Sequence, residues 1–139
     1  MEDLKRFLYV LLQCTWGILQ TLVGFCVFLR WCKAPHERYH GAVVTRWKLR
    51  SGMSLGLFLF VPEGVYGDGF LVHEYGHTIQ SLILGPLYIP VIGLPSVLWC
   101  NLPCFVNLRR KTQRTYNSMY AERSANFWGE KITKERAEL

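Results

Sequence analysis

Residues 7–29 contain no Asp, Glu, Lys or Arg. The run is 23 residues long and ends in Arg30-Trp31-Cys32-Lys33. A bilayer core takes about 20 residues of helix, so this run predicts one transmembrane helix and restricts the fold to those that can carry it. A cleaved signal peptide is disfavoured, because the apolar run is too long and no small-residue cleavage site follows. Basic residues after the run (Arg30, Lys33, Arg38, Arg46, Lys48, Arg50) outnumber Lys5 and Arg6 before it. By the positive-inside rule the C-terminal side is then cytoplasmic. A second charge-free run of 23 residues, 82–104, also passes the length test, but Pro86, Pro90, Pro95 and Pro103, with Gly85 and Gly93, break it repeatedly. It reads as the end of one helix, then an apolar re-entrant loop, then a short returning helix over 95–104. A true second span is the alternative.

All four histidines lie in two HExxH pentamers, His36–His40 and His73–His77. The first copy sits between Pro35 and Gly41, which leaves barely one helical turn, and it runs into β-branched residues. It reads as a polar loop just outside the membrane. The second copy lies in a long, mostly apolar segment with Asp68 as a plausible N-cap and Gly85-Pro86 as a stop, so a helix of about four turns is expected. On that helix His73 and His77 share a face and can point both imidazoles at one metal ion. Glu74 would stand beside the open coordination position as general base.

A catalytic zinc usually takes three protein ligands. With the histidines used, a carboxylate or thiolate is needed. Glu122 and Asn126 are i,i+4 on a final helix expected over 112–128, with Gly129 as its stop. Glu122 can ligate, Asn126 can accept a hydrogen bond from a ligand histidine, and the small Ala125 lets the two helices approach. Asp68 is the competing carboxylate, as in site-two proteases.

HExxH followed by ExxAN resembles the gluzincin metallopeptidases. The Glu122–Asn126 segment is similar to the ExxAD of membrane-bound CAAX-prenyl-protease and HtpX-type enzymes. The resemblance covers 68–81 and 120–129 only. It implies Zn2+ held by His73, His77 and Glu122, with Asn126 in the place of an aspartate that orients the first histidine. That exchange keeps an acceptor and loses its charge.

Between these segments, 42–48 and 54–61 read as a β-hairpin turning at Arg50-Ser51-Gly52-Met53. An edge strand ahead of such a helix can align extended substrate, which makes Ser54, Leu55, Gly56 and Leu57 candidates for strand addition. Tyr88, Tyr116, Tyr120 and Arg123 are candidate oxyanion donors. Five cysteines without a CxxC imply free thiols, and Cys100 and Cys104 read as apolar fillers. The net charge of +6 sits beside apolar segments with no nucleic-acid motif, which favours anionic lipid over nucleic acid.

The expected protein is therefore mainly α, in the membrane, with a small β-hairpin. Residues 1–33 form the anchor, 34–130 a zincin-like catalytic part and 131–139 a polar tail expected to fray. It would be a zinc metallopeptidase in a bacterial cytoplasmic membrane, its catalytic part on the cytoplasmic side, acting on a membrane-associated peptide. A lipid or acyl substrate, or a structural metal without catalysis, are the alternatives.

Overall fold

Two buried glutamines break the first apolar run. In the computed structural model, which describes residues 1–64 and 68–138, α1 (Glu2–Thr15) and α2 (Ile18–Arg30) meet at 93°. Gln13 and Gln20 are fully buried. The Gln13 amide donates to Thr78 O at 3.0 Å, and that of Gln20 to Ser81 Oγ at 2.7 Å and Gly85 O at 3.1 Å. At the bend, Gly17 N–H donates to Leu12 O at 3.0 Å, while Thr21 Oγ1 caps Gln13 O at 2.8 Å. The single straight span expected over 7–29 therefore does not form. Among the described residues no single helix is long and apolar enough to cross a membrane, although two bent pairs pass by length and composition.

The sheet corrects the expected hairpin. Its order is β1-β2-β4-β3, with β1 (His36–Tyr39), β2 (Ala42–Trp47), β3 (Met53–Leu55) and β4 (Phe58–Pro62). β2 and β4 pair in parallel, Val44 opposite Leu59, so the two long apolar strands are neighbours but not a hairpin. The run 54–61 divides at Gly56 (φ 61°), where a Cβ would meet Thr21 Oγ1 at 2.2 Å, and the short β3 folds back antiparallel on β4. Every residue of β4 is buried, as an apolar strand covered on both faces should be. One face carries Val44, Leu59, Val61, Leu71 and Tyr75; the other carries Trp47, Phe58 and Phe60 against Val27 and Phe28 of α2.

The first HExxH is likewise not a loop. It forms β1 and enters a two-residue turn, His40 (φ 47°) and Gly41 (φ 98°), the left-handed pair that joins tight hairpins. His36 bonds Thr45 Oγ1 and Cys32 O, both at 3.1 Å, and His40 faces Glu135 at 3.7 Å, so the two imidazoles serve separate partners.

The second HExxH lies in α3 (Asp68–Leu84), buried along most of its length. Asp68 is exposed in its first turn, and the capping position lies outside the described residues. Beyond α3 the chain turns at Gly85 (φ 54°), makes a 3-10 turn (Gly85–Leu87) and a π turn (Ile89–Gly93), and continues as α4 (Leu94–Asn101). Pro103 forces Leu102 into extended backbone (ψ 127°), and α5 (Pro103–Thr112) leaves at 72°. No straight helix crosses 82–104, but the segment coils throughout instead of looping. α4 ends before Cys104, leaving Cys100 and Cys104 on different helices.

The last helix also differs from expectation. α5 stops at Gln113 (φ 52°), and α6 runs Tyr120–Thr133, straight through Gly129 to a left-handed Lys134. Gly129 is a contact, not a stop: a Cβ there would lie 2.2 Å from Val72 O. Gly76 on α3 is tighter still, 1.8 Å from Ala125 O. The described part of the polar tail lies against the rest of the chain: Ala137 N donates to Glu130 Oε1 at 3.0 Å, and Glu138 covers Gly69.

Gly76→Ala must push α3 from α6 and should cost roughly 1–3 kcal/mol, lowering the melting temperature by several degrees. Gly93→Ala meets only Tyr88 at 3.7 Å and ordinary helical backbone, and should leave melting unchanged or raised. Thermal unfolding of the two variants in one detergent checks the contrast.

Candidate metal centre

The α3–α6 contact brings three side chains to one point. His73 and His77, one turn apart on α3, are 2% and 5% exposed, and Glu122 of α6 is fully buried. His73 Nε2 lies 3.1 Å and His77 Nε2 3.4 Å from Glu122 Oε2. The three ligand atoms all fall within 4.8 Å of one another.

The far sides of the rings fix their protons. His77 Nδ1 faces Gln80 Oε1 at 2.7 Å. The Gln80 amide is held the right way round, because its NH2 donates to Ala121 O at 2.8 Å and to Ser124 Oγ. Its oxygen must then accept from His77 Nδ1–H. His73 Nδ1 meets Asn126 Oδ1 at 2.5 Å in the same sense. Each neutral ring therefore turns a bare Nε2 lone pair inward. Ser96 Oγ donates to Glu122 Oε1, leaving Oε2 buried without a hydrogen bond. Three lone-pair atoms converging in a water-poor interior repel one another unless a cation, or protons, stand among them. Two imidazoles and a carboxylate are a donor set that suits a borderline divalent ion, and the cluster could hold a metal.

Charge agrees with that geometry. Burial raises the Glu122 carboxyl pKa, but His73, His77 and Ser96 outweigh it and hold the group well below the usual carboxylate range. Burial lowers the pKa of His77, yet Glu122 and Glu74 drive it above its ordinary value. A proton and a metal ion thus compete for the same Nε2.

Glu74 is outside this triad but adjoins it. It is 5% exposed, and its Oε2 accepts a hydrogen bond from Ser54 Oγ at 2.5 Å. The turn before β3 closes over it, leaving room only for glycine: a Cβ on Gly52 would be 2.1 Å from Glu74 Oε1. Of the four candidate oxyanion donors, Tyr88 and Tyr116 lie within electrostatic reach of both Glu74 and Glu122. Tyr88 OH donates to Ser54 O at 3.2 Å. Tyr120 and Arg123 are exposed, and Tyr120 OH is spent on Val91 O, so the structure does not bring those two to the site. Nor does it bring Asp68, which stays outside the ligand cluster.

Of the proposed substrate strand only Ser54 and Leu55 are extended, in β3 at the sheet edge; Gly56 and Leu57 form the turn, and Leu57 N–H donates to Thr21 Oγ1 at 3.2 Å. The Ser54 carbonyl on that edge is already taken by Tyr88. Two positioning residues, Gln80 and Ser96, escaped the sequence reading, and a third, Ser54, was read only as substrate strand and not as the partner of Glu74. Gln80 follows His77 by three residues on one helical face and was findable by the rule that found Asn126. Ser54 and Ser96 arrive from a strand and from the second apolar run, with no local signal. No family model, curated protein or solved structure matches this chain.

Purified protein should hold close to one equivalent of zinc after dialysis against the free metal. His73→Ala and Glu122→Gln should each abolish retention, and Asn126→Ala should weaken affinity roughly 10–100-fold, measured by metal analysis and competitive titration.

Proposed function

We infer that the protein is a membrane-attached zinc metallopeptidase that hydrolyses a peptide bond of a membrane-associated substrate. The observation that carries this is the convergence of two Nε2 lone pairs and a hydrogen-bond-free carboxylate oxygen, with a second buried carboxylate one residue from His73. His73, His77 and Glu122 would hold a zinc ion, which would supply the Lewis acidity that makes water nucleophilic near neutral pH.

The chain's own groups do the rest. Glu74 takes the proton of the attacking water and delivers it to the leaving amine. Ser54 fixes the Glu74 carboxylate by donating to Oε2. Asn126 and Gln80 hold the imidazoles with Nδ1 protonated, and Ser96 holds Glu122 by its other oxygen. Tyr116, or Tyr88 on leaving the Ser54 carbonyl, supplies the donor to the oxyanion. Attachment to a membrane is supported by the large apolar side chains exposed on α1, α2 and α4, including Phe7, Leu22, Phe25 and Leu94; the reading of a bacterial cytoplasmic membrane with the catalytic part on the cytoplasmic side rests on the basic excess that follows residues 7–29. The same exposed surface keeps a lipid or acyl substrate as a second reading of the hydrolase. The near-complete burial of all four site residues favours a third, a structural ion without catalysis.

Glu74→Gln separates these readings. It should keep the zinc and lose hydrolysis of a quenched membrane peptide by at least about 100-fold. Loss on acyl substrates alone would select the lipid reading, and no zinc-dependent hydrolysis by the wild type on either substrate would select the structural one.

A further inference from the structure

A cleft of about 390 Å³, lined by none of the candidate metal ligands, opens between the first turns of α1 and the β1–β2 turn. Its walls are Arg6, Phe7, Val10, Arg38, His40 and Gly41. We propose that this cleft binds the phosphate headgroup of an anionic phospholipid whose acyl chains lie along the exposed apolar face of α1.

The cleft is held open by specific contacts. Gly41, left-handed at φ 98°, sits so near α1 that a Cβ would be 3.1 Å from Tyr9 Cδ1 and 3.6 Å from Arg6 O. Tyr75 OH donates to His40 O at 3.3 Å, and the Tyr75 ring stacks on Tyr9 at 5.6 Å. The hairpin turn is thus pinned to both α1 and α3, and Arg38, His40 and Arg6 line one cleft.

Charge in the cleft is incompletely met from within. Arg38 makes no ion pair among the described residues. Arg6 has a long 3.9 Å contact with the fully exposed Asp3, and His40 a 3.7 Å contact with Glu135. Two guanidinium groups can each present a planar fork to phosphate oxygens. A free anion needs nothing more than that. Here the cationic walls adjoin Phe7, 63% exposed, and beyond it Leu4, Leu8 and Leu11 at 59%, 45% and 46%. A polar head beside an unpartnered apolar track is the chemistry of an amphiphile, and an in-plane helix beside acidic headgroups binds by those two terms together.

The proposal rests on the membrane attachment inferred above and needs neither the metal nor hydrolysis. Its test uses the full-length protein in detergent, titrated with dioleoyl phosphatidylglycerol or dioleoyl phosphatidylcholine and read by native mass spectrometry. The wild type should retain phosphatidylglycerol about tenfold more than phosphatidylcholine, and the Arg6→Gln/Arg38→Gln double variant should lose that preference. Lys48→Gln/Arg50→Gln, which removes equal charge from an exposed turn elsewhere, should keep it. Should the first double variant melt early, Arg6→Lys/Arg38→Lys keeps the charge without the fork and should still weaken the preference. Equal retention of the two lipids by the wild type, an unchanged preference in the Arg6/Arg38 variants, or an equal loss in the control would each overturn the proposal. So would displacement of the lipid by equimolar inorganic phosphate, which would mark a free-anion site. Zinc content and peptide hydrolysis, followed in parallel, should not change in these variants, so the metallopeptidase reading stands or falls separately.

Discussion

The backbones of α3 and α6 nearly touch, and the cluster of His73, His77 and Glu122 that could hold a metal forms because they do. Gly76 meets the Ala125 carbonyl and Gly129 meets that of Val72, so the helices approach at both ends of the shared face with no side chain between them. At that separation short polar side chains reach across: Asn126 to His73, Gln80 to Ser124 and to the Ala121 carbonyl, Glu122 to both imidazoles. A bulkier residue at position 76 or 129 would hold the helices apart and leave the same ligands too distant to share an ion. Packing and chemistry are one constraint here, imposed by Gly76, Ala125 and Gly129.

That constraint was partly legible. Two histidines at i,i+4 on an apolar segment with a stop signal define a face, and Glu122, Ala125 and Asn126 define a complementary one. Spacing alone carries such information, because a helix fixes which residues are neighbours. The interaction of Gln80 with His77 obeys the same rule and was available to it. What spacing does not carry is long-range pairing. Nothing in 42–48 or 54–61 says that the strands run parallel, and the need for glycine at the Gly56 turn comes from its close approach to Thr21. Ser54 and Ser96 reach the carboxylates from elements distant in sequence.

The membrane reading shows a different limit. Counting charges marks 7–29 as uninterrupted, yet Gln13, Gln20 and Thr21 carry unmet hydrogen-bonding groups that an apolar interior must satisfy. The two glutamine amides find partners on α3 and at Gly85, Thr21 finds Gln13 O and Leu57 N–H, and the chain bends at Gly17 to let them. Gly129 and the first HExxH carry a related lesson. A glycine near the end of a helical pattern can be a contact as well as a stop, and a motif in a two-residue hairpin turn does not put its histidines on one helix face.

X-ray absorption at the zinc edge of the metal-loaded protein addresses the centre most directly. The account predicts only nitrogen and oxygen neighbours at about 2.0–2.2 Å, with the outer-shell scattering of two imidazoles reduced to that of one in His73→Ala. A sulfur shell at about 2.3 Å, or imidazole scattering that His73→Ala leaves intact, would contradict it.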